Sequence, residues 1–571
     1  MAEGDAFPEP DSLSTPYSLG WFAGNNWARE GRFVWEPLTS SVTRHLTMRG
    51  PYGTSGYQCP FFLLRRDRPP EQYFVFSLAW SGPWQARVLS DAGLYQVLQV
   101  RMGLEGPAPL RVLAPGEMAV VPALHIGAVA GDFDTCVQAI HDHVRRSVVP
   151  AQPVRNRHPM IECNSLTRAN LKVTEATMLE DVAHAHSLGC EVYMQDAGWY
   201  GGANATTEDR NSAPYPRYIG DWVPGPWLPN GFKPARDAMR KHGLLFGLWI
   251  EPEGVGIRSI VATGHPEWLA QKDGRPVPEV MERLNLDLAN PGAAAWLESE
   301  FERIIRDYGV DILRLDGAPM AAQVGERAVA GRIENSAWRH VDALYGVLER
   351  TRRRFPDLLI ENCCGGGGRN DWGIVSRTHW AQLSDQHRPA ETVQILNGLT
   401  MFLPPELCLN IFGVVMQGQP FTAPVASLYR LLMLGRPLPL PPDVDPDWAR
   451  NAKRYFALFR EFVAPMLSTC RVFHHTPVVR LEAAGASTFC ILEYAAADAS
   501  RSSVWVFQFP DGRRSVTVSP RGVDPQRRYR VTADSCDAVV ERDGADLRTR
   551  GLEVALDGVM ASEWFRLEAL H

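Results

Sequence analysis

The sequence predicts an α/β protein: a (β/α)8 TIM barrel flanked by an N-terminal antiparallel β-sandwich domain and a small C-terminal β-sandwich domain. The chain has 571 residues, several times the ~150 residues of an average domain. Its middle part alternates short apolar segments with longer amphipathic ones, whereas both outer parts have short β-type runs separated by turns. We therefore predict three domains, at 1–155, 156–466 and 467–571.

The first domain is indicated by runs of Val, Phe, Tyr and Leu, such as 73–78, which are separated by Gly/Pro turns. This pattern is typical of an antiparallel sheet. Residues 134–149 are predicted to form a helix, because apolar residues recur at three-to-four spacing from Val137 to Val144. The proline-bearing segment 150–159 then marks a domain boundary.

The central domain is predicted to be a barrel because strands that alternate with helices must pair in parallel. Roughly 300 residues of such units fit eight β/α units better than an open sheet. The second to sixth barrel strands are predicted at 191–194, 244–250, 310–315, 358–361 and 378–383.

The C-terminal domain is indicated by a return of the β rhythm after residue 467. Residues 503–509 and 515–518 are β-rich and are separated by the turn residues Asp511 and Gly512. We predict a β-hairpin there, since a Gly-containing turn between two such runs is a hairpin signal.

Composition excludes several classes of protein. Lys and Arg number 58 against 65 Asp and Glu, and the net charge of −7 argues against a nucleic acid partner.

No run approaches the roughly 18 apolar residues of a membrane helix, and residues 1–11 lack an export signal, so we expect a cytoplasmic protein with no membrane partner. The ten cysteines show no Cys-x-x-Cys spacing and are expected to be reduced. We predict no metal and no cofactor.

Carboxylates and aromatic residues follow the predicted barrel strands, whose carboxyl ends converge on one mouth. Two facing carboxylates can cleave an acetal, because one attacks as an anion while the other delivers a proton to the leaving oxygen. We predict Asp316 and Asp385 as this catalytic pair. The rim segments are 195–199, 249–253, 314–316, 361–369 and 384–385.

Arg314 is predicted to act on Asp316. Side chains alternate along a strand, so Arg314 lies on the same face two residues earlier, and its charge is expected to keep Asp316 ionised. Asp385, close to that anion and partly desolvated, is expected to hold its proton. Either aspartate alone would also fit a helix cap, but the complete rim favours catalysis.

The glycine run at 365–368 does not match a phosphate-binding motif. It lacks the Gly-Lys-Ser/Thr of a phosphate loop and the spacing of a dinucleotide fingerprint. We interpret it as backbone that lets a bound sugar ring approach closely.

Several blocks of the chain occur in the order expected of one family: 24–30, 49–55, 220–222, 228–232, 243–253, 286–291, 314–316, 361–371 and 384–385. As a set they resemble glycoside hydrolase family 36, the α-galactosidase or melibiase type within the retaining α-glycosidases. The resemblance covers most of the chain. It implies a hydrolase that acts on a small glycoside or oligosaccharide, as a homo-oligomer.

Carried over to this chain, the resemblance implies Asp316 as the nucleophile and Asp385 as the acid/base of a double displacement with retention. The two carboxyls are then expected about 5–5.5 Å apart. The substrate-binding residues that we predict are Asp196, Trp199, Trp249, Arg283, Arg314, Cys363, Gly366 and Gly367.

Three departures from the family pattern concern the sugar. Ala197 stands where the family has a second Asp that grips hydroxyls, and loss of such an acceptor removes on the order of 1.5–3 kcal/mol of affinity. Arg314 and Leu315 replace Lys and Trp.

We predict an exo-acting α-galactosidase. Two alternatives stay open: the same machinery retuned for an α-N-acetylgalactosaminide, an arabinopyranoside or a 6-modified galactoside, or a non-catalytic carbohydrate-binding protein.

Overall fold

The fold was examined in a computed structural model. It describes residues 14–23, 26–40, 42–47, 59–91, 97–156, 158–167, 172–201, 205–211, 215–277, 281–317, 325–413, 423–440, 446–482 and 485–570. The predicted family block at 49–55, and Gly24 and Asn25 of the block at 24–30, lie outside these residues. No helix in the described part of the chain is both long enough and apolar enough to cross a bilayer.

Two antiparallel sheets form the N-terminal region. Their strands, numbered along the chain, are β1 (Ser14–Phe22), β2 (Phe33–Thr39), β3 (Val42–Thr47), β4 (Phe61–Arg66), β5 (Gln72–Leu78), β6 (Trp84–Asp91), β7 (Val97–Leu104) and β8 (Leu124–Ala130). One sheet has the order β2-β1-β4-β5-β8 and the other β3-β6-β7. Alternate residues of β6 are buried, as expected when one face of a sheet covers a core.

The predicted helix at 134–149 is confirmed. Helix α1 (Phe133–His143) begins after Asp132, whose carboxylate accepts the backbone N–H of Thr135 as an N-cap. A π-helical turn, Val144–Val148, continues it.

The central region contains the predicted barrel. Its strands in chain order are β9 (Glu162–Asn164), β10 (Val192–Gln195), β11 (Leu245–Ile250), β12 (Gly254–Gly256), β13 (Gln271–Lys272), β14 (Arg275–Pro276), β15 (Arg283–Asn285), β16 (Ile312–Leu315), β17 (Glu326–Val329), β18 (Arg332–Asn335), β19 (Leu359–Asn362), β20 (Trp380–Gln382), β21 (Cys408–Gly413) and β22 (Arg436–Leu440). Eight of them form one parallel sheet in the order β9-β10-β11-β16-β19-β20-β21-β22. Because β22 also packs against β9, the sheet is nearly closed, and the barrel prediction is confirmed.

The five predicted barrel strands all coincide with observed strands, with ends shifted by at most two residues. The remaining central strands form short antiparallel pairs in the loops, β12 with β15, β13 with β14 and β17 with β18.

Helices alternate with the barrel strands, as the periodicity predicts. They are α2 (Glu175–Leu188), α3 (Thr207–Asn211), α4 (Lys233–His242), α5 (Ile260–Gly264), α6 (Pro291–Tyr308), α7 (Ala337–Arg354), α8 (Trp372–Val375), α9 (Pro389–Leu399), α10 (Val425–Leu432), α11 (Pro446–Leu458) and α12 (Ala464–Leu467). The predicted boundary between residues 466 and 467 falls inside α12.

The C-terminal region is a second antiparallel β structure. It consists of β23 (Arg471–His474), β24 (Phe489–Ala495), β25 (Arg501–Gln508), β26 (Arg513–Val518), β27 (Arg528–Ala533), β28 (Ala538–Asp543), α13 (Gly544–Arg550), β29 (Leu552–Asp557) and β30 (Ser562–Ala569). Six strands form a sheet in the order β23-β24-β25-β30-β27-β28, and β26 pairs with β29 in a second sheet.

The predicted hairpin between 503–509 and 515–518 is wrong. Strand β25 pairs with β24 on one side and with β30 on the other, and β26 pairs with β29 in the other sheet. The physical reason is burial. Nearly every residue of β25 is buried, because β25 is a central strand with a neighbour along each edge, whereas β26 is mostly exposed. The turn at Asp511 and Gly512 therefore carries the chain from one sheet to the other.

An N-terminal segment, residues 26–31, packs on helix α9 and so reaches the barrel mouth. Gly31 has φ +69°, and a Cβ at this position would lie 2.6 Å from the backbone oxygen of Ile395. A Cβ at Gly398 of α9 would overlap the backbone oxygen of Gly31. The two backbones therefore approach more closely than any residue other than glycine allows.

Replacing Gly398 by alanine is expected to lower stability. Alanine within a helix is normally favoured over glycine by about 1 kcal/mol, but here the added methyl group pushes α9 away from Gly31. The matched control is Gly346→Ala in α7, where the added Cβ meets only the end of the Arg350 side chain, at 2.9 Å. Thermal unfolding should show a lower midpoint for Gly398→Ala and an unchanged or higher one for Gly346→Ala; equal midpoints would contradict the close approach.

Candidate active site

Asp316 lies directly after β16, at the mouth of the barrel. Its Oδ2 accepts the indole N–H of Trp249 at 2.8 Å. Its Oδ1 accepts the backbone N–H groups of Gly317 at 2.7 Å and Gly365 at 2.8 Å. Three donors from three segments therefore fix the orientation of this carboxylate.

Asp385 lies three residues after β20 and has one hydrogen bond on each carboxyl oxygen. Gln382 Nε2 donates to its Oδ1 at 2.6 Å, and Trp27 Nε1 donates to its Oδ2 at 2.9 Å. Burial, followed by the negative charge of Asp316, raises the pKa of Asp385 to about 6. One carboxyl of the predicted pair is thus poised to hold a proton in weakly acidic solution.

Asp316 and Asp385 both lie next to the turn at Gly365 and Gly366. Gly365 donates its N–H to Asp316, and a Cβ on the next residue, Gly366, would lie 3.0 Å from the Cγ of Asp385. Asp316 and Asp385 therefore flank the same two glycine residues.

The structure explains the need for glycine at positions 366 and 367 differently from the sequence prediction. A Cβ on Gly366 would lie 2.4 Å from the backbone nitrogen of Asp385, and one on Gly367 would overlap the backbone oxygen of Leu383. The run is thus packed against the protein's own backbone after β20, and it needs no bound ring to explain it. Sugar contacts by Gly366 and Gly367 stay predictions.

The ion pairs described for Arg314 are with carboxylates other than Asp316, so the predicted action of its charge on Asp316 stays a prediction. Strand register places Arg314 beside Glu361 on β19, two residues deeper in the barrel than Asp316. Its described ion pairs are with Glu361, with Glu162 at 3.7 Å and with Asp196 at 3.7 Å.

Gln382 connects Arg314 to the other aspartate. The Gln382 side-chain oxygen accepts from Arg314 Nη2, while its nitrogen donates to Asp385. Arg314 also lies 3.6 Å from the sulfur of Cys363. The guanidinium therefore supports Asp385 through one amide, a role that the sequence pattern did not suggest.

Asp196 and Trp249 line the wall that the rim pattern predicted. Asp196 is buried after β10 and accepts from Asn164 Nδ2 at 2.7 Å and from the backbone of Ala197 at 2.8 Å. Burial raises the pKa of Asp196, although the charge of Arg314 opposes this. Ala197 itself is 4% exposed, so its methyl group occupies a closed position beside Asp196.

Trp199 supports this wall from behind. It has no exposed surface, and its indole N–H donates to the backbone oxygen of Trp249 at 2.9 Å. Its ring packs edge-on against Tyr200 and Phe232. In place of the predicted sugar contact, the structure gives Trp199 a position that holds Trp249.

Glu251, which follows β11, lies in the predicted rim segment 249–253, but no role was predicted for it. It is 1% exposed and pairs with Arg283 at 3.0 Å, and Arg283 also donates to the hydroxyl of Tyr215 at 3.0 Å. Burial raises the pKa of Glu251 to about 7, with Arg283 opposing the shift and Asp316 adding to it. Arg283 thus lies near the site, bound to Glu251, and its contact with substrate stays a prediction.

Sequence reasoning also missed Trp27 and Glu30 as parts of the site. Trp27 is 40% exposed and donates to Asp385. Glu30 is buried, accepts from the Ser384 hydroxyl and from the backbone of Ala28, and has its pKa raised to about 8 by burial. Both belong to the family block at 24–30, but no sequence spacing places that block beside Asp385, more than 350 residues away.

Within the described residues, no group of three His, Cys, Asp or Glu side chains is arranged to hold a metal ion. The chemistry that the site offers is that of its carboxyl groups and their hydrogen-bond donors.

Replacing Arg314 by methionine is expected to lower the free energy of unfolding by about 3–5 kcal/mol, because it leaves buried Glu361 and Asp196 without their cation. The matched control is Arg350→Met, which removes an exposed arginine that binds Glu298 through three contacts and should cost at most about 1 kcal/mol. Urea unfolding followed by tryptophan fluorescence measures both. Similar losses in the two variants would contradict the buried network.

Comparisons with known proteins find relatives along much of the chain. Over 370 residues the chain is 29% identical to α-galactosidase 2 of Pediococcus pentosaceus, covering 64% of this chain and 49% of the relative. It is 26% identical to α-galactosidase AgaA of Geobacillus stearothermophilus, covering 66% of this chain and 51% of the relative. The aligned part thus spans about half the length of these relatives.

Solved structures show the same fold. A variant of AgaA from Geobacillus stearothermophilus, in complex with stachyose, superimposes with a TM-score of 0.86 at 21% identity. The match covers 98% of this chain and 75% of that chain. The melibiase family model matches residues 125–420, which is more than half of this chain. The chain therefore belongs to the melibiase family, glycoside hydrolase family 36.

Proposed function

We propose that the protein is a retaining exo-α-glycosidase that removes terminal α-linked galactose. One observation carries the proposal: Asp316 and Asp385 lie on either side of the turn at Gly365 and Gly366. Asp316 accepts three N–H donors, and the pKa of Asp385 is raised. The names of the relatives support the choice of sugar, since each is an α-galactosidase.

In the first step, Asp316 acts as the nucleophile. One of its oxygens attacks the anomeric carbon while the bond from that carbon to the leaving oxygen breaks. Asp385 gives its proton to the leaving oxygen, so the sugar is left covalently bound to Asp316 and Asp385 becomes a carboxylate.

In the second step, the two groups exchange tasks. Asp385 takes a proton from water, the water oxygen attacks the anomeric carbon, and the bond to Asp316 breaks. The sugar leaves with its original anomeric configuration, and both carboxyls return to their starting states. Trp27 and Gln382, which donate to Asp385, stabilise the carboxylate form that exists between the two steps.

The substrate class follows from the wall of the site. Asp196 follows β10 and Trp249 lies near the end of β11, and we propose that the sugar contacts these two side chains at the barrel mouth. The solved AgaA variants contain stachyose and raffinose, and we propose that soluble oligosaccharides with a terminal α-galactose fill the same place here. Ala197 is the position at which another α-linked sugar would be accepted.

Asp316→Asn and Asp385→Asn are expected to lower kcat/KM for 4-nitrophenyl α-galactoside by at least about 10³-fold, since each removes one half of the covalent mechanism. The control is Asp237→Asn, an exposed aspartate on α4 whose described ion pair is with Lys233, which should retain full activity. The released sugar, followed by NMR, should be the α-anomer.

Aryl glycosides of N-acetylgalactosamine and arabinopyranose test the sugar in the same assay. Hydrolysis of one of these with an inert galactoside would contradict the galactosidase assignment and leave the mechanism intact. Full turnover in both aspartate variants would contradict the mechanism itself.

Trp27→Phe is expected to move the alkaline limb of the pH–rate profile to higher pH. The wild-type rate should fall as pH rises above about 6, because Asp385 then loses the proton that it must deliver. Trp27 lowers the pKa of Asp385 by donating to its ionised form, so losing the indole N–H raises that pKa further. Trp35→Phe, which changes an N-terminal tryptophan that packs against Phe33 and Tyr73, should leave the limb in place. An unshifted limb in Trp27→Phe would show that the hydrogen bond does not tune Asp385.

A further inference from the structure

A second cavity lies at the opposite end of the barrel from Asp316 and Asp385. It has a volume of about 520 Å³, within the ~300–1,000 Å³ range of small-molecule sites. His379 precedes β20 and Arg436 begins β22, so the cavity opens at the amino ends of the barrel strands. We call it the floor pocket; its polar lining includes Arg145, Arg146, Asn156, His379, Glu406 and Arg436.

His379 presents a hydrogen-bond donor to the floor pocket. The ring is 2% exposed, and its Nδ1 accepts the backbone N–H of Ile360 at 2.8 Å. A neutral imidazole that accepts at Nδ1 carries its hydrogen on Nε2, and burial lowers the pKa of His379 to about 3, which keeps the ring neutral. Its Nε2–H, for which the described residues show no acceptor, is therefore a fixed donor on the lining.

Arg436 presents a buried cation. It is 3% exposed, lies 4.1 Å above the ring of Trp380, and donates to Asn156 Oδ1 at 2.6 Å and to the backbone oxygen of Glu406 at 3.3 Å. Glu162, Glu361, Glu191 and Glu406 all attract its charge, yet burial outweighs them and lowers the pKa of Arg436 to about 10. Arg436 is thus a buried cation of the lining, and the hydrogen bonds described for it go to an amide oxygen and a backbone oxygen, with no ion pair to a carboxylate described.

The other charges of the lining are unevenly paired. Glu406 binds Arg145 through two contacts, at 2.8 and 3.0 Å, so these two charges cancel. Arg146 is exposed and donates to the backbone oxygen of Asp142 at 3.1 Å, and no carboxylate partner is described for it. The charges of the lining without a matched partner are thus both positive.

We propose that the floor pocket binds a small anionic molecule, whose phosphate or carboxylate oxygens are held by Arg436, Arg146 and the Nε2–H of His379. The Arg436 and Arg146 guanidinium groups and the Nε2–H of His379 are all donors, so a ligand that accepts hydrogen bonds on several charged oxygens fits them better than a neutral sugar does. The cavity is larger than a single phosphate ion, which indicates a phosphate ester or a polycarboxylate. This site is separate from the proposed galactosidase site, and either proposal can fail without the other.

Isothermal titration of the intact protein at low ionic strength tests the proposal. The probes are inorganic phosphate, glucose 6-phosphate and citrate, with glucose as the neutral control and saturating galactose present to occupy the barrel mouth. Saturable binding of at least one anion, and none of glucose, is expected. Tighter binding of glucose 6-phosphate than of citrate identifies the phosphate ester class, and the reverse identifies the polycarboxylate class.

Arg146→Glu reverses one charge of the lining at an exposed position, so the variant should fold. It should weaken anion binding by at least about tenfold, since charge-assisted hydrogen bonds are the stronger ones. The matched control is Arg548→Glu, an exposed arginine in the last turn of α13 in the C-terminal region, which should bind as the wild type does. Equal binding by the wild type and Arg146→Glu, or no saturable binding of any anion, would overturn the proposal.

Discussion

The guanidinium of Arg314 is the interaction on which the active site depends. It lies inside the barrel at the level of Glu361, with Glu162 and Asp196 each within 3.7 Å. Burial together with the charge of Glu361 raises the pKa of Glu162 well above its ordinary value, and the charges of Arg314 and Arg436 oppose this shift. Without Arg314, the buried carboxylates of Glu361 and Asp196 would lose the ion pairs described for them. Through Gln382 the same guanidinium also fixes the oxygen of Asp385 that faces the barrel.

The other oxygen of Asp385 is fixed by a different domain. Trp27 reaches it from the N-terminal region, and Glu30, three residues later, binds Ser384 beside it. The close approach of Gly31 to Gly398 holds this segment against α9. Both hydrogen bonds of Asp385, the proposed proton donor, therefore form only when the barrel and the N-terminal region are packed together. Asp316, by contrast, takes all three of its donors from the barrel and its loops.

The parts of the fold that depend on local periodicity could be predicted from the sequence. The barrel strands, α1 and the three-region order follow from alternating apolar segments, and the structure confirms them. Strand pairing in the C-terminal region could not be predicted, because it depends on which strand is central: β25 is buried along its length and pairs on both sides, so the nearby turn joins two sheets. A turn signal reports a change of direction and carries no information about the partner strand.

The site was predictable to the extent that it lies at strand ends. Asp316, Asp385 and Asp196 follow barrel strands and Trp249 is the second-last residue of β11, and the carboxyl ends of parallel strands converge. Trp27 and Glu30 come from a loop that no barrel rule places, and the contacts of Arg314 depend on strand register, which alternation alone does not give.

Charge balance also gives a physical reason for Ala197. The mouth already gathers Asp196, Glu251, Asp316 and Asp385, while Arg283 is engaged by Glu251 and Arg314 by the inner layer. The charges of Asp316 and Asp196 both raise the pKa of Asp385. A further carboxylate at position 197, next to Asp196, would add to this repulsion and hold Asp385 protonated to still higher pH. That would favour the first step, in which Asp385 gives up a proton, and oppose the second, in which it must accept one from water. A neutral residue at 197 therefore limits the negative charge at the mouth.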